Sequence, residues 1–109
     1  MEWDVLNQRA LDIRQLYAHL EQQTYGRPWT AEEIALGFVG DVGDLAKLVM
    51  AASGVRYIPE ARPKLAHELA DSLWSVMVLA HTFNIDLEQA FLQTMDELEQ
   101  HIAGIRSEE

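Results

Sequence analysis

The sequence predicts an all-α fold, an antiparallel bundle of about four helices that completes its core by homo-oligomerisation. Three observations carry that expectation. Apolar residues recur at three- and four-residue spacing through four separate stretches, the mark of amphipathic helices. Short segments of turn-forming residues separate those stretches, at Tyr25 to Trp29, Gly54 to Pro59 and Asn84 to Asp86. From Leu73 to Ala80 only Ser75 is polar, so one helix is apolar nearly all round and needs cover on more than one side. In a four-helix chain of this size that second cover is expected from another subunit, in a homodimer or homotetramer.

The first helix is expected from Glu2 to about Thr24, with Val5, Leu6, Ile13, Leu16, Tyr17 and Leu20 as its apolar stripe. Gly26 and Pro28 then break the pattern, and Trp29 serves either as a staple onto the second helix or as part of a base-binding pocket. Thr30-Ala31-Glu32-Glu33 is a capping box, with Thr30 as N-cap and Glu33 reaching back from the third helical position. The second helix runs to about Ser53 and stops at Gly54. Gly37, Gly40 and Gly43 lie within it, each about 1 kcal/mol worse for a helix than Ala. Their spacing points to close approach by another backbone or by a ligand.

The third helix is expected to start at Pro59 or Pro63, either of which suits a first turn, and to run to about Phe83. Trp74 is expected to pack in its core. Asp86 is the N-cap of the fourth helix, with Gln89 three residues on. That helix reaches about Ile105 and uses Leu87, Phe91, Met95, Leu98 and Ile102 as its buried stripe. The end, Arg106 to Glu109, is expected to fray.

At 109 residues, with 49% apolar and 24% charged residues, residues 1–109 read as a single globular domain. There is no cysteine, which excludes disulfides and thiolate metal sites and fits a cytoplasmic location. The start, Met1-Glu2-Trp3-Asp4, lacks the basic region of a signal peptide. No apolar run approaches the ~20 residues of a membrane span. With 8 basic against 18 acidic residues the net charge is −10, which argues against nucleic acid or an anionic membrane as partner. A nucleotide is not excluded, because a bound cation reverses the local sign.

The residues with chemistry to offer form two acidic pairs, Asp41 with Asp44 and Glu68 with Asp71. Within each pair the spacing is three, so both carboxylates share one helix face. The midpoint between the pairs falls near Arg56, inside the connection expected between the second and third helices. An antiparallel hairpin would bring all four acids to one level, across an axis separation of roughly 8–10 Å. Carboxylates so gathered repel unless a cation joins them, and magnesium is the hard cation that takes oxygen ligands and substrate phosphates. A di-iron carboxylate bundle needs Glu three residues before His, and none of His19, His67, His81 or His101 has it. His67 is read as structural. Arg56, Arg62 and Lys64 cluster around the connection as candidates for a triphosphate tail.

Gly40-Asp41-Val42-Gly43-Asp44-Leu45-Ala46, with Glu68-Leu69-Ala70-Asp71-Ser72-Leu73, resembles the MazG-like all-α nucleotide pyrophosphohydrolases. Their signature is an acid-x-x-acid pair on one helix and Glu-x-x-Asp on the next. The resemblance extends from about Trp29 to Ala90, and the dCTP pyrophosphatase branch is nearest in wording. Asp41 and Asp44 stand where the family usually has Glu, and Gly40 where it often has another. Ser75 stands where some members have Tyr, and Thr94 to Gln100 lacks the Lys, Asn or Arg that the last helix usually offers to phosphates.

The resemblance implies a MazG-like domain that hydrolyses a nucleoside triphosphate, a dNTP or non-standard nucleotide, to the monophosphate and pyrophosphate. It implies Asp41, Asp44, Glu68 and Asp71 as catalytic residues and as ligands of magnesium, or of manganese in its place. Trp29, Lys47, Arg56 and Lys64 are the candidate substrate residues. The alternative is a MazG-like protein of weak or no activity, working as a metal-binding, nucleotide-binding or interaction protein. The two shortened acids and the unbasic fourth helix favour it.

Overall fold

The computed structural model describes residues 2–108. Among them are four α-helices and no strand: α1 Trp3–Tyr25, α2 Ala31–Ala52, α3 Ala61–Thr82 and α4 Leu87–Ser107. The end expected to fray is helical through Ser107, and Glu109 lies outside the described residues.

The helix ends follow local chemistry. At the end of α2, Gly54 takes a left-handed backbone (φ 82°), its N–H donates to the Ala51 carbonyl, and the Val55 N–H donates to that of Met50. That is a Schellman stop, and only a residue without Cβ adopts it freely. Asn84 (φ 56°) does the same for α3, with Ile85 N–H donating to the Ala80 carbonyl at 2.8 Å. Pro63 sits in the first turn of α3, where its missing N–H would have had no partner inside the helix.

The capping box forms as expected. The Glu33 N–H donates to Thr30 Oγ1, and the Thr30 N–H donates back to Glu33 Oε1 at 2.9 Å. Arg27 also donates to Glu33, at 2.6 Å. This hydrogen bond from Arg27, with that from the Thr30 N–H, lowers the Glu33 carboxyl to about 2. Its contribution to stability is complete above the ordinary value of 4.5 and is lost as pH falls toward 2. Thr30→Ala should lower stability by about 1 kcal/mol, read as a shifted midpoint at unchanged slope in urea.

α2 and α3 form the main packed pair, with α1 laid against α3. α3 is the most buried element: Ser75, Met77, Val78 and Ala80 are buried, Val78 at 1% exposure. The need for cover on more than one side is met within the chain, by α1 and α2 rather than by the second subunit expected, although Leu73 stays exposed. Trp74 is tied to α1, its Nε1–H donating to the Ala10 carbonyl at 3.0 Å and its ring tilted against Tyr17 at 5.6 Å.

Two stripes differ from expectation. On α1, Val5, Leu6, Leu16, Tyr17 and Leu20 are exposed, Val5 at 60%. The side that α1 turns inward carries Ala10, Arg14 and Glu21 instead, spaced by four and seven. An arginine and a glutamate can occupy that side because they pair with each other, Arg14 Nη1 lying 3.0 Å from Glu21 Oε1. On α4 no residue is buried; Phe91, Met95, Leu98 and Ile102 are bare, Phe91 at 57%. The reason is geometric: beyond the Asn84 turn α4 lies along no other helix of the chain.

Gly40 and Gly43 have open space where a Cβ would stand, so nothing in the chain uses the close approach they permit. Only at Gly37 would an added Cβ meet a neighbour, the Trp29 ring at 3.6 Å. The resulting chain is open. Its radius of gyration is 17.6 Å, against about 13 Å for a compact domain of this length. Its accessible surface is 8367 Å², against about 6,100 Å² for a compact monomer of 12.4 kDa.

Candidate functional site

The four acids meet across the α2–α3 pair. Burial pushes the Asp41 carboxyl up, and the charges of Asp71 and Asp44 push it further. Glu68 is raised in the same way, by burial first and then by Asp41, Asp71 and Asp44, with His67 opposing. Asp41 and Glu68 therefore each lie within electrostatic reach of the other acids, while the closest grouping of possible ligand atoms is on α3 and does not include Asp41 or Asp44. The hairpin register read from the sequence is the cause, since α2 ends at Ala52 and α3 begins at Ala61, equally far from the connection's centre.

Glu68 Oε2 is buried and has no hydrogen-bond partner. A carboxylate oxygen in that state is costly unless a cation or a proton meets it. One ligand atom each from His67, Glu68 and Asp71 lies within 4.8 Å of the others, so these three residues could hold a metal ion. The donor set is mainly hard oxygen, as magnesium and manganese prefer. Ser72 Oγ is also buried without a partner, and no neighbouring group accounts for it.

His67, read from the sequence as structural, is exposed and offers a ring nitrogen close to Glu68 and Asp71. It lies about 100° round the helix from Glu68, but it is four residues from Asp71 and so stacks one turn above it. That spacing was the signal in the sequence. Arg14 and Glu21 were missed as well, because seven residues separate them and neither belongs to an acidic pair.

Two cavities flank the acids. The first, of about 400 Å³, lies between α1, α2 and α3 and has Tyr17, Trp29, Trp74 and Ser75 on its wall, with Asp41 and Asp71 at its edge. The second is an open cleft of about 450 Å³ lined by Asp44, Lys47, Lys64, His67 and Glu68. Of the candidate substrate residues, Trp29 therefore stands on the aromatic side of the acids and Lys47 and Lys64 on the other. Arg56 is exposed in the connection and lines neither. Trp29 lies against α2 near Gly37, as the staple reading expects, and its ring also lines the first cavity.

An aromatic recess thus lies on one side of the carboxylates, and on the other a cleft that mixes Lys47 and Lys64 with Asp44 and Glu68. The chain is similar to dCTP pyrophosphatase 1. It is 34% identical to the protein of Mus musculus over 94 residues, covering 78% of this chain and 54% of that one. Against the protein of Rattus norvegicus the identity is 33% with the same coverage. The chain thus spans about half the length of the curated relatives it matches. No family model matches it, and no solved structure does. Among the described residues no helix is long and apolar enough to cross a membrane.

Proposed function

We propose that the chain is a MazG-like, magnesium-dependent pyrophosphohydrolase acting on a nucleoside triphosphate, a dNTP or a non-standard nucleotide. The observation that carries this reading is the meeting of two acidic pairs around a buried, unpartnered carboxylate oxygen. Two dCTP pyrophosphatases of similar sequence support it.

Asp41, Asp44, Glu68 and Asp71, with His67 at the edge, would hold magnesium or manganese, which when bound neutralises phosphate charge and acidifies a water. The aromatic recess of Tyr17, Trp29 and Trp74 takes the base by stacking. Lys47 and Lys64 face the phosphates across the cleft. Water oxygen attacks the α-phosphorus as the bond to the bridging oxygen breaks and pyrophosphate leaves. One of these carboxylates takes the water's proton. Self-association belongs to the same proposal: a homodimer or homotetramer would cover the bare stripe of α4.

A panel of NTPs and dNTPs with magnesium, scored for pyrophosphate rather than phosphate, tests the reaction. Monophosphate and pyrophosphate in equal amounts are expected, with the products lost in Asp44→Asn. No turnover of any nucleotide with magnesium or manganese would favour a binding or interaction role. α4 is the observation on that side, since none of its residues lines either cavity and Thr94 to Gln100 has no basic residue.

A further inference from the structure

Trp29 belongs to the short connection between α1 and α2, which would ordinarily be the most mobile part of a ligand cavity. Here its main-chain N–H and carbonyl are both held. The Trp29 N–H donates to Glu21 Oε1 at 2.7 Å, and Arg14 Nη2 donates to the Trp29 carbonyl at 3.1 Å. Arg14 Nη1 in turn donates to both oxygens of Glu21, at 3.0 and 3.1 Å. Glu21 is only 8% exposed, and Arg14 is half-buried beside it. A buried ion pair on one helix thus grips both main-chain polar groups of a single residue in the next connection. The indole of that residue faces Gly37 and lines the aromatic cavity.

We infer that Glu21, acting with Arg14, is a positioning residue that fixes Trp29 as a wall of the aromatic cavity and thereby sets affinity for the flat part of the ligand. The inference rests on the nucleotide reading above for the nature of that ligand. Glu21 is not offered as a substrate contact, because three hydrogen bonds from two protein donors, Arg14 Nη1 and the Trp29 N–H, already occupy its carboxylate, which has about four acceptor sites. Nor does it touch the chemistry, which lies with the acids of α2 and α3. The gain is one of preorganisation: a ring held in place loses less freedom when a base stacks on it. A helix-borne clamp with i, i+7 spacing holds the ring more firmly than loop packing would.

The test is a double-mutant cycle with dCTP and magnesium as the probe, comparing wild type, Glu21→Ala, Trp29→Ala and the double variant. Amide hydrogen exchange at Trp29 is read in parallel. Trp29→Ala should raise KM about tenfold, as expected for losing a stacking partner. Glu21→Ala should raise KM severalfold with kcat within about threefold of wild type, and the double variant should be no worse than Trp29→Ala alone. The Trp29 amide, protected in wild type, should exchange freely in Glu21→Ala while amides within α2 and α3 keep their protection. Glu21→Gln keeps an acceptor for that amide and should recover part of the loss, and it carries the test if Glu21→Ala does not fold. Additive effects on KM, a fall in kcat at unchanged KM, or undiminished protection of the Trp29 amide would each overturn the inference. If wild type neither turns over nor binds dCTP, the cycle is run with the nucleotide of the panel that it does take; failure with every nucleotide would instead overturn the nucleotide reading, while exchange at Trp29 still reports whether the clamp exists.

Discussion

Glu68→Gln is expected to lower pyrophosphate release by about 10²–10³-fold or more, the usual cost of removing one group that stabilises transition-state charge. Glu68 is the acid whose buried oxygen has no partner, so it has the most to gain from a cation and the most to lose without one. In EDTA the same substitution should have the opposite effect on stability. Burial and the surrounding carboxylates raise Glu68 and Asp41 above their ordinary values of 4.5 and 3.8. For a carboxyl so raised, the stabilising contribution is full below the ordinary value and is lost as pH rises through the raised one. Metal-free protein should therefore lose this contribution as pH rises above the ordinary values of 3.8 and 4.5, and Glu68→Gln should flatten that slope. An identical dependence of melting on pH in wild type and Glu68→Gln in EDTA would mean the acids are not crowded as described.

The second large effect concerns assembly. Phe91→Glu with Leu98→Glu should convert a particle of at least twice 12.4 kDa into the single chain, read by light scattering during gel filtration. Phe91, Met95, Leu98 and Ile102 follow the four-three-four spacing of a helix-packing seam, and none is covered. The chain exposes about 2,200 Å² more than a compact monomer of its mass, well above the ~800 Å² per partner of an ordinary interface. Two charges placed in such a seam would each cost several kcal/mol to bury. A wild type that runs as a monomer at micromolar concentration would mean α4 folds back onto its own chain in solution.

The turn and cap chemistry was legible because it is local: Thr30 with Glu33, Gly54 and Asp86 each specify a helix end within a few residues. The level at which the acids meet was legible for a related reason, since the register of a hairpin follows from the position of its connection. What escaped was long in range or hidden by residue type. The inward side of α1 is built on Ala10, Arg14 and Glu21, and a search for apolar periodicity passes over a charged pair that neutralises itself. The α4 stripe was read correctly as apolar, but periodicity says that a face wants cover, not that the same chain supplies it. The glycines of α2 carry the same lesson, because Gly40 and Gly43 leave space that nothing in the chain enters.

The central claim is that Asp41, Asp44, Glu68 and Asp71 together make a metal site, and melting curves with and without magnesium test it most directly. The set is wild type, Asp44→Asn, and Asp4→Asn as a control for lowering the charge of an acidic protein, Asp4 being in the first turn of α1. In EDTA, Asp44→Asn should melt at or above wild type, because one of four mutually repelling carboxylates is gone. A ligand bound only by the folded state stabilises it by roughly 2.7 kcal/mol at a hundredfold excess over Kd. That is about 10 °C for a domain of this size. Wild type and Asp4→Asn should gain that shift in magnesium and Asp44→Asn should lose most of it, reversing the order seen in EDTA. Equal magnesium shifts in wild type and Asp44→Asn would contradict the claim that the two acidic pairs form a metal site.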